Sequence, residues 1–153
     1  MQHKTNLDLN TGINIENLEY DILNRKSTLG VVGLGYVGLP LVRALNEKGY
    51  QVIGLDTDVR KIETLKKGKS YIKSLSNQNV QELNESGLFT PTNNILDIAQ
   101  MDVVLICVPT PLTKNREPDM RYVVAAAEAI STQLRPGQLI VLESTTYPGT
   151  TKE

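Results

Sequence analysis

Glycines recur at the spacing G-x-G-x-x-G in the run Gly33-Leu34-Gly35-Tyr36-Val37-Gly38. The chemistry such a run supports is capture of paired phosphates by backbone N–H groups, because a residue without a Cβ lets the main chain come close to an anion. The pattern carries meaning only in context: a strand must end at it, a helix must open from it, and an acidic residue must close the next strand. Ser27 to Gly33 is an uncharged run holding Leu29, Val31 and Val32, as in a strand buried on both faces. From Tyr36 to Lys48 the apolar positions Val37, Leu41, Val42 and Leu45 fall at helical spacing, with Gly49 as the stop. Tyr50 to Asp56 reads as a second strand, and its Asp56 lies 18 residues beyond Gly38. Gly33 would then make the tight turn, Gly35 would admit a pyrophosphate, and Gly38 would let helix and strand pack closely. The pyrophosphate would meet the helix N-terminus, where N–H groups lack partners and the dipole end is positive.

Asp56 sets the cofactor. A carboxylate at this strand end accepts hydrogen bonds from ribose hydroxyls, each worth about 1.5 to 3 kcal/mol when charged. It also repels a 2′-phosphate, so the expectation is NAD over NADP. The plainer alternative is a solvated turn residue beside Asp58. Arg60 and Lys61 open the following helix; they either reach the adenosine side or form a solvated basic face.

The elements that must hold these residues alternate along the chain. Residues 1–27 form a polar lead-in with a short amphipathic helix across 15–25. A second helix follows over 59–67, stopped by Gly68. Residues 69–101 carry weaker signals: a helix over 79–85, a short strand over 88–90 and a helical turn over 95–99. Asp102 to Val108 is a strongly apolar strand that leads into the proline-rich loop Pro109 to Pro118. Asp119 is placed to cap a helix over 120–134, and Gln138 to Glu143 is another strand. Such alternation predicts right-handed crossovers and a doubly wound α/β domain of the Rossmann type, its parallel strands ordered 3-2-1-4-5. The chain is expected to be truncated before its last strand, which would leave an open sheet edge and drive self-association or demand a cover.

Composition narrows the function classes. With 153 residues, 40% of them hydrophobic, the chain is sized for one globular domain, here residues 28–153. Sixteen Lys and Arg against seventeen Asp and Glu give a net charge of −1, without the clustered excess of cations that nucleic-acid binding requires. The one cysteine excludes a disulfide framework, and the lone His3 offers no metal site. No apolar run reaches the roughly 20 residues of a membrane span, and the N-terminus lacks a signal-peptide core, so a cytoplasmic setting is expected.

Three segments taken together, GLGYVGLP at 33–40, CVPTPLTKNREPD at 107–119 and ESTTYPGTT at 143–151, resemble the N-terminal domain of the UDP-glucose/GDP-mannose dehydrogenase family. The second and third are most similar to its UDP-N-acetylglucosamine 6-dehydrogenase branch. The likeness spans residues 28–153. Members of this family oxidise the C6 alcohol of a nucleotide sugar to a carboxylate in two NAD-dependent steps, through an aldehyde and a cysteine thioester. The resemblance implies that Gly33, Leu34, Gly35, Tyr36, Val37 and Gly38 hold the pyrophosphate, with Asp56 at the adenosine ribose; Lys61 is counted with the cofactor-binding residues from its place at the start of the following helix. It implies that Cys107, Val108, Pro109, Thr110 and Pro111 line the cofactor near its ribose and nicotinamide portions. Thr145 matches a threonine near the reacting carbon, where its hydroxyl holds a catalytic water or polarises an oxygen, and Ser144 and Thr146 would contact the nicotinamide end. A UDP-sugar substrate and a homo-oligomer are implied as partners. The family's remaining catalytic groups, a glutamate, a lysine, an asparagine, a cysteine and an aspartate, would lie beyond Glu153, so this chain alone is expected to bind NAD without turnover.

Each assignment has a plainer alternative. Pro109-Thr110-Pro111 reads equally as a stiff loop. Ser144-Thr145-Thr146 reads as the cap of a helix near 148. Lys114, Arg116 and Glu117 read as a solvated loop. Cys107 ends an apolar strand with no histidine nearby to raise its thiolate fraction, so it is not the nucleophile. For the whole protein the expectation is UDP-N-acetylglucosamine 6-dehydrogenase. The alternatives are UDP-N-acetylmannosamine or UDP-glucose as substrate, or a module that senses NAD or NADH without chemistry.

Overall fold

The computed structural model describes residues 15–114, 116–146 and 150. Eleven elements follow in order: α1 (Ile15–Leu23), β1 (Thr28–Val32), α2 (Gly38–Glu47), β2 (Gln51–Leu55), α3 (Val59–Lys66), α4 (Asn77–Glu85), β3 (Phe89–Thr92), a 3-10 turn (Ile95–Gln100), β4 (Val103–Ile106), α5 (Arg121–Ser131) and β5 (Leu139–Leu142). The five strands form one sheet in the order β3-β2-β1-β4-β5. Every pairing is parallel. This is the doubly wound α/β architecture that the alternation of elements predicts.

Successive strand residues point to opposite faces, so each central strand feeds two cores. Val31 and Val52 pack with Leu39, Val42, Ile62 and Leu65 beneath α2 and α3. Val32 and Ile53 pack on the other face with Ile98, Met101, Val104 and Ile130 of α5. Burial on both faces is why these strands read as unbroken apolar runs rather than as alternation. In the middle of β1, Gly30 leaves the volume into which the Met101 sulfur reaches: a Cβ at position 30 would overlap it. At the amino end of β4, Asp102 accepts from the Thr28 N–H (2.8 Å) and pairs with Arg135 (2.5 Å). The Gln138 amide donates to the Ile98 and Met101 carbonyls. These bonds fasten β1, β4 and the entry to β5 at one end of the sheet.

The structure adjusts several boundaries. The lead-in helix ends at Leu23 and is followed by Arg25 in the left-handed region (φ 58°). α4 begins at Asn77, two residues earlier than its apolar pattern shows, because Ser76 and Asn79 form a reciprocal capping box. The third strand is Phe89–Thr92 rather than 88–90 and includes Pro91. It lies at a sheet edge, where a residue that cannot donate is tolerated. α5 spans Arg121–Ser131, shorter than expected. Met120 takes the capping position; Asp119 instead accepts from the Arg121 N–H (3.2 Å) and pairs with its guanidinium (2.6 Å). That pairing holds the Asp119 carboxyl below its ordinary value. The expected readings at 1–14, at Asn115 and of a helix near 148 lie outside the described residues.

β5 contrasts with the inner strands. Among the described residues it pairs only with β4, and Leu139 and Ile140 are 43% and 38% exposed.

Candidate functional site

The loop between β1 and α2 is shaped by its three glycines in three different ways. Gly33 takes φ +96°, which L side chains rarely adopt, and a Cβ there would come 2.8 Å from the Cys107 carbonyl oxygen. A Cβ on Gly38 would overlap the Gly33 carbonyl oxygen, so the helix starts in contact with the strand it follows. Gly35 has no atom within 4 Å of where its Cβ would be. The first two absences are demanded by the fold; the third leaves a cradle that a side chain would fill.

α2 adds the electrostatics. Its capping residue, Val37, provides no side-chain acceptor, and no acidic residue stands in its first turn. Among the described residues the N–H groups of Gly35, Tyr36 and Val37 donate to no protein group. A helix that leaves its leading donors unpartnered beside an open glycine is fitted to an anion.

Asp56 is not a solvated turn residue: it is 7% exposed. One carboxylate oxygen accepts from the Leu34 N–H (2.9 Å) and from the Lys61 ammonium (2.8 Å); the other accepts from the Asp58 N–H (2.9 Å). Of the roughly four lone-pair positions on a carboxylate, three are thus in use. The group is a hub that ties β2 to the glycine loop and α3, with one acceptor position left for a ligand. Lys61 turns inward to this hub, whereas Arg60 pairs with Asp58 in solvent. The Arg60 guanidinium holds the Asp58 carboxyl below its ordinary value.

The opposite wall comes from the ends of β4 and β5. The Cys107 N–H donates to the Val32 carbonyl (2.7 Å). Burial, and then the charge of Glu143, pushes its thiol up to about 11, so it stands as a neutral thiol. The Ser144 hydroxyl donates to the Val108 carbonyl (2.7 Å) and joins the two strand ends. Thr145 is exposed beside it. Beyond Pro111 the loop closes on itself through a bridge between Leu112 and Pro118, and Lys114, Arg116 and Glu117 are exposed.

Two clefts flank the carboxyl end of β1. One, of about 430 Å³, is lined by Gly33, Gly35, Tyr36, Val37, Asp56, Lys61, Cys107, Val108, Pro109, Thr110, Ser144 and Thr145. The other, of about 340 Å³, runs between the end of β2 and α5 and is walled by Ile95, Tyr122, Ala125, Ala126 and Ala129. Gly33, Asp56, Lys61, Val108 and Pro109 line both. Four expected residues lie outside them: Leu34 is buried and contributes only its peptide groups, Gly38 is packed on β1, and Pro111 and Thr146 line neither cleft. Tyr71, Ile72 and Glu143 also line the larger cleft, a place their sequence context does not signal. Glu143 opens the segment 143–151, whose sequence signal lies in its hydroxyls. Tyr71 stands in a stretch without periodicity, and only the fold brings it to the site. Burial and then the charges of Asp56 and Asp58 raise the Tyr71 phenol above its ordinary value.

A parallel sheet with a glycine loop at its central strand, a helix opening on that loop and paired clefts at the strand ends defines a Rossmann domain for NAD. The chain belongs to the UDP-glucose/GDP-mannose dehydrogenase family, whose NAD binding domain matches residues 27–153. It is 38% identical over 128 residues to a UDP-N-acetyl-D-mannosamine dehydrogenase of Salmonella typhi, a match covering 83% of this chain and 30% of the relative. It is also 38% identical over 125 residues to a UDP-N-acetyl-D-glucosamine 6-dehydrogenase of Pseudomonas aeruginosa, covering 82% and 29%. A solved UDP-D-ManNAc dehydrogenase from Pyrococcus horikoshii superposes with a TM-score of 0.76 at 32% identity, covering 82% of this chain and 30% of that one. The chain thus spans about 30% of the length of such relatives. Among the described residues no helix is long and apolar enough to cross a membrane.

Proposed function

We propose that this chain is the cofactor-binding domain of a nucleotide-sugar dehydrogenase that oxidises the C6 alcohol of UDP-N-acetylglucosamine to the carboxylate, for surface polysaccharide synthesis in the cytoplasm. The observation that carries the reading is the pair of clefts meeting at Gly33, Asp56 and Lys61, a shape for a ligand with two halves joined by phosphates. The alanine-walled cleft takes the adenine, and the larger one takes the nicotinamide with its ribose. The N–H groups of Gly35, Tyr36 and Val37 take the pyrophosphate, and the free acceptor position of Asp56, beside Lys61, takes the adenosine ribose. When bound there, NAD would supply the hydride acceptor for each oxidation. Cys107, Val108, Pro109, Thr110 and Ser144 shape the wall beside the reacting ring, and Thr145 holds a water or a substrate oxygen there. A UDP-N-acetylmannosamine substrate is the second reading, favoured by the equal identity to the Salmonella typhi relative. The whole protein works as a homo-oligomer.

The test has two arms. Isothermal titration with NAD and NADP is expected to give tighter binding of NAD by tenfold or more, lost in Gly35→Val. Equal binding of the two cofactors would overturn the assignment of Asp56. For the full-length protein, turnover on a panel of UDP-sugars is expected to form two NADH per UDP-N-acetylglucosamine, and a preference for the mannosamine or glucose substrate would replace that assignment.

A further inference from the structure

Leu34 lies between the first two glycines, and both of its peptide groups are held from outside the loop. Its N–H donates to Asp56 (2.9 Å), and its carbonyl accepts from the Tyr71 hydroxyl (2.6 Å). Tyr71 belongs to the turn between α3 and α4 and lines the larger cleft. Lys61 links the two holds: its ammonium is 2.8 Å from Asp56 and 5.9 Å from the centre of the Tyr71 ring.

A trans peptide is planar, so the Leu34 carbonyl and the Gly35 N–H form one rigid unit whose two polar groups point opposite ways. Fixing the carbonyl toward Tyr71 fixes the N–H away from it. Turning this unit changes ψ of Leu34 and φ of Gly35; glycine leaves the second permissive, so the phenol adds a specific hold to the steric preference of Leu34. The Gly35 N–H has no protein acceptor among the described residues, and the space beside Gly35 is open.

We propose that Tyr71 is a positioning residue of the cofactor site, whose phenol holds the Leu34–Gly35 peptide so that the Gly35 N–H is presented to the pyrophosphate of NAD. This rests on the reading of the glycine loop as the pyrophosphate cradle. A purely structural tyrosine would act on every ligand alike; a tyrosine that aims one donor acts only on ligands bearing phosphates.

The test follows binding of NAD, ADP and adenosine by amide resonances of the isotope-labelled chain. Tyr71→Phe keeps the ring and removes one hydrogen bond, so the expected loss is about fivefold to tenfold for NAD and ADP, with adenosine within twofold of the unmodified chain. Equal loss for all three ligands, or loss for none, would overturn the proposal. Gly35→Ala separates it from the reading beneath it. If that variant binds NAD as the unmodified chain does, the cradle itself is wrong and the proposal falls with it. If Gly35→Ala fails to bind while Tyr71→Phe binds normally, only the role of Tyr71 is wrong.

Discussion

At the carboxyl end of β1 the backbone is held from several sides, whereas the end of β5 is held from one side, by the end of β4. Around the glycine loop, Gly33 is pressed against Cys107, Gly38 against Gly33, and Leu34 is bonded through both peptide groups. Past β5, Ser144 is tied to Val108, Thr145 is exposed, and the strand itself is half open to solvent. One half of the site is therefore set by the core, and the other rests on an edge. The proposed cofactor cradle and the proposed reacting wall thus stand on differently held backbone, so cofactor binding and turnover should separate under mutation.

The largest effect should fall where the loop meets the core. Gly38→Ala drives a methyl group into the Gly33 carbonyl and should cost roughly 3 kcal/mol or more, at or above the usual cost of overpacking; urea unfolding measures it. Asp56→Ala leaves three donors without their acceptor and should cost about 2 kcal/mol in the same assay. Unchanged stability would show that the carboxylate is not the hub described. Gly35→Ala sharpens the contrast within the loop itself: its Cβ meets nothing, so stability should stay within about 0.5 kcal/mol, while NAD affinity falls at least tenfold.

At the open edge the expected effects are smaller. The chain should self-associate with rising concentration, and Ile140→Lys should suppress this by charging the edge. Sedimentation of the unmodified chain as a monomer at high concentration would show that the edge needs no cover. Cys107 gives a pH probe on the wall between the two halves. Burial raises its thiol from an ordinary 9.0 to about 11. A raised acid contributes stability below the unfolded value and loses it as pH climbs toward the folded one. Stability should therefore decline between pH 9 and about 11, and alkylation by iodoacetamide should titrate near 11 in the native chain but near 9 in urea.

Much of this was legible in the residues. The parallel sheet follows from apolar runs separated by helical periodicity, its order 3-2-1-4-5 from the doubly wound fold that the glycine run marks, and the tight turn at Gly33 and the close packing at Gly38 from the glycine spacing. The state of Asp56 was not legible, because it depends on which N–H groups the fold brings to the carboxylate. Tyr71 was hidden for the same reason: its partner lies 37 residues away, and nothing local in 69–76 marks it. Boundaries in 69–101 shifted where capping by Ser76 and tolerance of Pro91 at an edge outweighed the apolar pattern.

Gly30 and Met101 carry one more consequence. The two positions divide a single volume, with the fully buried methionine occupying what a larger residue on β1 would need. A scan that changes one residue at a time would score both as intolerant, although the constraint lies in their sum. Drift at either position is open only to pairs, a larger residue at 30 arriving with a shorter one at 101, so that two apparently fixed sites amount to one shared degree of freedom.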